Sequence, residues 1–252
     1  MQKLIETLAR LYLPDSVLSP KLLEQHLTGS APLPIRLTTD SGSIRAIIIA
    51  FDKSPRQDDD AHWRLLCSVA NAMQAELDLP APAVSISVSN GFRLWLSFAE
   101  AIPTALAQQF LKQLQDAYFQ DTDTVADLSG AAVEFPPYQH PATGLWAAFI
   151  NPGLGASFAE ESGLEMSPPL AGQLALLDGL QSISAAQLTH AMAVLGPVQQ
   201  TALAATTAAP APAPSAHPGL LLKDATLEEI VNHLHSLHIE PTFRHLIKPR
   251  QV

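Results

Sequence analysis

Apolar residues recur along the chain in two rhythms, and the change from one to the other outlines its elements. Leu4, Leu8 and Leu11 keep helical spacing until Pro14 ends the run, and Pro20 starts a second helix through Leu27. A turn-rich passage, residues 28–34, leads into residues 35–38. Residues 44–51 then form a nearly continuous apolar run, which predicts a central strand covered on both faces. Asp58, Asp59 and Asp60 precede a helical stripe of Trp63, Leu66, Ala70, Met73 and Leu77, and acidic residues suit a helix N-terminus. Two alternating runs, 84–88 and 92–98, flank Asn90-Gly91, the signature of a hairpin with a type I′ turn. Pro103 opens a further helix with Leu106, Phe110, Leu114 and Ala117 along one face. Short β runs follow at 132–135 and 145–150. Pro168 opens another helix, and the last of this part spans 184–195.

Beyond residue 200 the pattern changes. Residues 201–218 hold eight Ala and four Pro, too few large apolar groups to pack, and they read as a tether. Thr226-Leu227-Glu228-Glu229 has capping-box spacing, and Leu227, Ile230, Val231, Leu234 and Leu237 then share a helical face. A lone helix of this length is marginal in water, so its apolar face predicts docking, either on its own domain or on a protein partner. Strand, helix, hairpin, helix and strand pair in that order predict an α/β domain with a mixed sheet. The resulting division is N-terminal helices at 1–30, the α/β domain at 31–200, the tether at 201–218, and a docking helix with a basic tail at 219–252.

Charge narrows the function. Of 252 residues, 14 are Lys or Arg and 24 are Asp or Glu, for a net charge of −10. Ten of those cations lie between Lys3 and Lys112, and the next is Lys223. Residues 113–222 thus carry no Lys or Arg but nine acids. Such a stretch cannot neutralise a run of phosphates, which argues against autonomous tight binding to duplex nucleic acid and against docking on an anionic membrane. A single cysteine, Cys67, allows no internal disulfide and no Cys-based zinc site. With no secretory leader pattern and no long apolar run, the expectation is a soluble cytoplasmic protein.

Three stretches carry a resemblance. Ile47-Ile48-Ile49-Ala50-Phe51-Asp52 is followed by Asp59-Asp60-Ala61 leading into Cys67, then by residues 89–98 with Arg93-Leu94-Trp95-Leu96, then by Pro103. In order and spacing these resemble the primase–polymerases of the archaeo-eukaryotic primase superfamily, in particular the stand-alone primase domains of bacterial conflict systems and mobile elements. Pro136-Pro137-Tyr138-Gln139, Gly144 and residues 148–155 are similar to the family's later stretch, so the resemblance covers roughly residues 30–185. It implies an RRM-like unit flanked by helices. It also implies two-metal nucleotidyl transfer, in which carboxylates one residue apart on a strand hold divalent ions with a third acid.

The sequence departs from that pattern at each ligand. Ala50-Phe51-Asp52 stands where the family has Asp-x-Asp, Arg93 where it has a histidine, and Glu134 is the acid near the third position. The resemblance therefore implies a pseudo-enzyme with no catalytic residue and no metal cofactor. Its remnant cleft would hold Ala50, Asp52, Arg93 and Glu134. Two readings of Arg93 stay open: an ion pair with Asp52 filling the former metal space, or a ligand for the phosphate of a nucleotide or DNA end.

The remaining candidates read as ordinary structure. His233, His235 and His238 are spaced unlike metal ligands on one helix face. Cys67 sits among apolar neighbours, Gly153-Leu154-Gly155 reads as a turn, and Ser85, Ser87 and Ser89 read as the polar face of a strand. The expected function is an inactive primase–polymerase-like accessory subunit of a DNA replication, repair or mobile-element complex. It would work through a protein partner of the C-terminal helix, with weak or partner-dependent nucleotide or single-stranded DNA binding. The rivals are a pure protein-interaction scaffold and an active polymerase that binds Mg²⁺ or Mn²⁺ through rearranged ligands such as Asp52 and Glu134.

Overall fold

Two helices open the chain, α1 (Gln2–Tyr12) and α2 (Pro20–Leu27), where the leucine spacing predicts them. The strands β1 (Ile35–Arg36) and β2 (Ser43–Asp52) follow, then helix α3 (Ala61–Leu77). The hairpin comprises β3 (Ala83–Ser87) and β4 (Gly91–Pro103), and helix α4 (Thr104–Tyr118) comes next. Four short strands continue the chain: β5 (Val125–Asp127), β6 (Ala132–Val133), β7 (Tyr138–Gln139) and β8 (Trp146–Ile150). A 3-10 helix at Pro152–Phe158, α5 (Leu170–Asp178) and α6 (Ala185–Leu195) complete it. The computed structural model describes residues 1–14, 20–28, 34–54, 60–88, 91–119, 125–127 and 132–196. The chain divides into two compact units, Met1–Ala204 and Ala205–Val252. The tether and the docking-helix residues Leu227, Ile230, Val231, Leu234 and Leu237 lie outside the described residues, as do the three C-terminal histidines.

The main sheet has six strands in the order β5-β2-β4-β3-β8-β7, and β1 pairs separately with β6. Within it, β2-α3-β3-β4-α4-β5 forms a split β-α-β arrangement, with β4 inserted between β2 and β3 and β5 on the outer side of β2. This insertion corrects the expectation of a sheet of mixed direction. β2 and β3 run parallel to each other, but β4 separates them and is antiparallel to both, so every ladder is antiparallel. Among the described residues the parallel contact is one isolated bridge, Phe98 to Ile183.

Strand alternation divides the core between two faces. Phe51, Phe92 and Leu94 point toward α3 and α4, with the Trp63 ring 4.8 Å from Phe92 and Phe119 6.4 Å from Phe51. On the other face Tyr12 of α1 lies 5.2 Å from Trp95 and 6.1 Å from Phe149. Burying each such side chain stabilises the fold by about 1.5–3 kcal/mol before entropy is counted.

Several local expectations change. Ser87 pairs with Gly91, leaving a three-residue connection instead of a two-residue type I′ turn. Gly91 belongs to the strand: its φ is +126°, and a Cβ there would lie 2.3 Å from the Phe51 carbonyl oxygen, so glycine permits the close approach of β4 to β2. On α4 the buried stripe includes Ala107, Phe110, Leu111 and Leu114, whereas Ala117 is exposed. Asp60 occupies the N-cap of α3, but its carboxylate accepts from Arg64 at 2.6 Å and caps no amide. Residues 153–155 form part of the 3-10 helix instead of a simple turn, with Gly155 packed on the Trp63 indole.

One edge of the sheet is closed by a side chain. β7 covers β8 only at Trp146 and Ala147. Farther along, the Phe149 N–H donates to Gln173 Oε1 at 2.8 Å, and Gln173 Nε2 donates to the Phe149 carbonyl at 2.9 Å. The amide thus replaces a neighbouring strand and satisfies two buried backbone groups.

Candidate functional site

The face of the sheet opposite α3 and α4 opens into a cleft of about 430 Å³. Its floor comes from alternate residues of the central strands, including Ile48, Ser85, Ser87, Arg93 and Trp95. Its roof includes Pro34 and Glu134, while Tyr138 stands at the side. The period of two explains the floor: on β4, Phe92 and Leu94 turn to the helices and Arg93 and Trp95 turn to the cleft.

Arg93 is the central charge. It stands opposite Ala50 on β2 and opposite Ser85 on β3, two small residues that leave room for its side chain. Its Nη1 donates to Asp52 Oδ1 at 2.7 Å and to the Phe92 carbonyl at 3.0 Å. The Arg93 side chain is 13% exposed and that of Asp52 44%, so the pair reaches from the cleft floor to solvent. Screening at the exposed end limits the pair to at most about 1 kcal/mol. Its main effect is to fix the guanidinium.

Glu134 is engaged differently. It accepts a hydrogen bond from Tyr138, whose ionisation is pushed upward first by burial and then by the Glu134 charge. Tyr138 therefore remains a protonated donor at neutral pH. The deep end of the cleft is aromatic: Trp95 packs against Phe135 and Phe149, and its indole N–H donates to Ser85 Oγ at 2.8 Å.

The structure thus gathers Arg93 and Glu134 in the cleft lining, with Asp52 on the Arg93 guanidinium. Ala50 lies buried beside Arg93 in register. Ser85 and Ser87 share one face of β3, as their alternation predicts, and that face is buried and lines the cleft. The indole bond satisfies Ser85, and Tyr12 of α1 packs on Trp95 on the same face. Ser89, Asp58 and Asp59 lie outside the described residues. Cys67 is half-buried against the core, and burial pushes its thiol pKa up, as for an unreactive packing residue.

One residue beside the cleft was not singled out, and one acid lies on a neighbouring strand. His26 of α2 is fully buried, with Nε2 2.7 Å from the Phe135 carbonyl and its ring 5.9 Å from Tyr138. Its place in the leucine stripe of α2, three residues after Leu23, was the available signal. Asp127 lies on β5, the strand beside Asp52's own, and stands opposite Ile49, whereas Ala126 stands opposite Ala50.

Chemically, the cleft offers a fixed guanidinium, a neutral phenol and an aromatic wall, a set suited to an anion attached to a planar or apolar group. Among the described residues no three His, Cys, Asp or Glu side chains converge as metal ligands. One carboxylate bound to a guanidinium and another bound to a phenol do not fit a pair of divalent cations, which need several oxygen ligands each. Compared with known proteins, the chain matches no family model and no curated sequence.

Proposed function

We propose that the protein is a catalytically inactive, primase–polymerase-like accessory protein working within a DNA replication, repair or mobile-element complex. The observation that carries this reading is the split β-α-β unit, which brings Asp52 and Arg93 together on the face opposite α3 and α4. In the RRM-like unit that the sequence resembles, the same two strand segments would carry the paired carboxylates and the histidine. Here Ala50 removes one carboxylate and Arg93 engages the other, so the reading carries no metal-dependent step. What remains is binding: Arg93 contacts the phosphate of a nucleotide or a single strand weakly, and protein partners supply the rest of the affinity.

Primer–template DNA supplied with nucleotides and either Mg²⁺ or Mn²⁺ is expected to show no extension. Extension that disappears in Asp52→Asn overturns the reading in favour of an active enzyme. Filter binding at low salt is expected to show weak retention of single-stranded DNA that is lost in Arg93→Ala, with far-ultraviolet dichroism confirming the fold. Wild-type protein that retains neither DNA nor nucleotide is instead an interaction scaffold. Deletion of residues 219–252 is expected to abolish recovery of a protein partner, and unchanged recovery removes the docking role of that segment.

A further inference from the structure

A second concavity, of about 820 Å³, lies where β8 runs into the 3-10 helix and α5 begins. It shares no lining residue with the Arg93 cleft. Phe149, Ile150, Phe158, Leu164 and Leu176 contribute apolar lining, and the rim leaves Leu154 57% and Met166 81% exposed. Large apolar side chains left in water beside a groove mark an interaction site.

Charge identifies the occupant. Glu161 and Glu165 line the groove, and Glu160 is exposed beside it. Among the described residues none of the three carboxylates has a cationic partner. Residues 113–222 contain no Lys or Arg to neutralise them locally. An anionic ligand is repelled there, and a cationic one is attracted. The adjacent strand edge is closed by Gln173 at Phe149, so an extended peptide has no backbone ladder to join at that point. Recognition must then run through apolar anchors, as when an amphipathic helix lies in a groove.

We propose that this groove is the docking site for a basic amphipathic helix of a partner protein. Its apolar stripe seats between the 3-10 helix and α5, and its Lys or Arg residues meet Glu160, Glu161 and Glu165. The inference stands apart from the primase-like reading, since it uses none of the residues on which that reading rests.

Fluorescence anisotropy on the full chain tests it with two labelled model helices of equal length. Both carry Leu at positions i, i+3, i+4 and i+7, and the remaining positions are Ala with Lys in one peptide and Glu in the other. The Lys peptide is expected to bind about tenfold or more tightly than the Glu peptide, with the difference shrinking at high salt. Leu154→Ser with Met166→Ser, at exposed positions that leave the fold intact by circular dichroism, is expected to weaken binding about tenfold. Glu161→Lys with Glu165→Lys is expected to reverse the peptide preference. Equal affinity for the two peptides, no binding, or binding indifferent to the Leu154 and Met166 changes overturns the proposal. So does concentration-dependent dimerisation that those same changes abolish, which makes a second copy the occupant. An environment-sensitive apolar dye that binds there and is displaced by neither peptide makes the groove a small-molecule site instead.

Discussion

Gln173→Leu removes the side chain that closes the edge of β8 while keeping similar bulk. Two hydrogen bonds at 2.8 and 2.9 Å disappear, and the Phe149 N–H and carbonyl are left facing a buried methyl group. Orphaning a buried backbone group costs about 1–3 kcal/mol, so two cost about 2–6 kcal/mol. Burial of the leucine's additional apolar surface returns about 1 kcal/mol. A net loss of about 3 kcal/mol is expected, which moves a urea midpoint by roughly 1–2 M at an ordinary m-value. Hydrogen exchange at the Phe149 amide should accelerate in step. Gln173→Glu sharpens the test. Its carboxylate can still accept from the N–H, but when ionised it repels the Phe149 carbonyl, so its folded pKa rises above the unfolded value near 4.3. Stability of that variant is therefore fullest below about pH 4.3 and declines as pH rises through the raised folded pKa. After subtraction of the wild-type profile, a Glu variant insensitive to pH, or a Leu variant losing less than about 1 kcal/mol, refutes the assignment of Gln173 as a strand substitute.

Other expectations follow from single contacts. Gly91→Ala should destabilise the domain by about 3 kcal/mol in thermal or urea unfolding, because φ +126° and the Phe51 carbonyl both oppose a Cβ; a change under 1 kcal/mol contradicts that strand approach. Ser85→Ala should cost about 1–3 kcal/mol by stranding the Trp95 indole N–H, whereas Ser85→Thr should recover part of it. His26 and His62 have pKa values lowered chiefly by burial, so their contribution is complete above the unfolded value near 6.5 and is lost as pH falls through the depressed folded values. Urea midpoints measured from pH 7.5 to 5 should therefore decline, and the slope should be shallower in His62→Leu, whose parent ring stacks on Phe92 with Nδ1 unpartnered.

The sequence disclosed regular elements whose apolar spacing repeats over several residues. The stripe on α1 and the apolar run of β2 are local patterns, and each forms where its spacing predicts. Sheet direction was not legible, because nothing between residues 43 and 103 encodes that β4 enters between two earlier strands. β5 and β7, three and two residues long, are too short to display a period. The burial of Ser85 and Ser87 escaped notice because alternation reports two faces without saying what covers each. Tyr12 and Phe135, which pack on Trp95 on that face, are both distant in sequence. For the cleft, Asp52, Arg93 and Glu134 could be named from motif order, but the engagement of Glu134 by Tyr138 could not. The two residues are four apart, but no helix or strand spans the interval between β6 and β7, so spacing alone does not set that contact.

The insertion of β4 also has a consequence during synthesis. When β2 leaves the ribosome, its inner edge has no partner, and β3 cannot supply one because the two strands are not neighbours in the finished sheet. Both must wait for residues 91–103. At ordinary elongation rates the interval between Asp52 and Pro103 lasts roughly 3–10 s. Throughout it, Ile47, Ile48 and Ile49 remain on a strand with no native ladder to join. Nascent chains halted just before β4 should thus be the most adhesive species this protein produces, and those halted after α4 far less so. The strand that brings Arg93 to Asp52 is also the one that ends the nascent chain's most vulnerable interval.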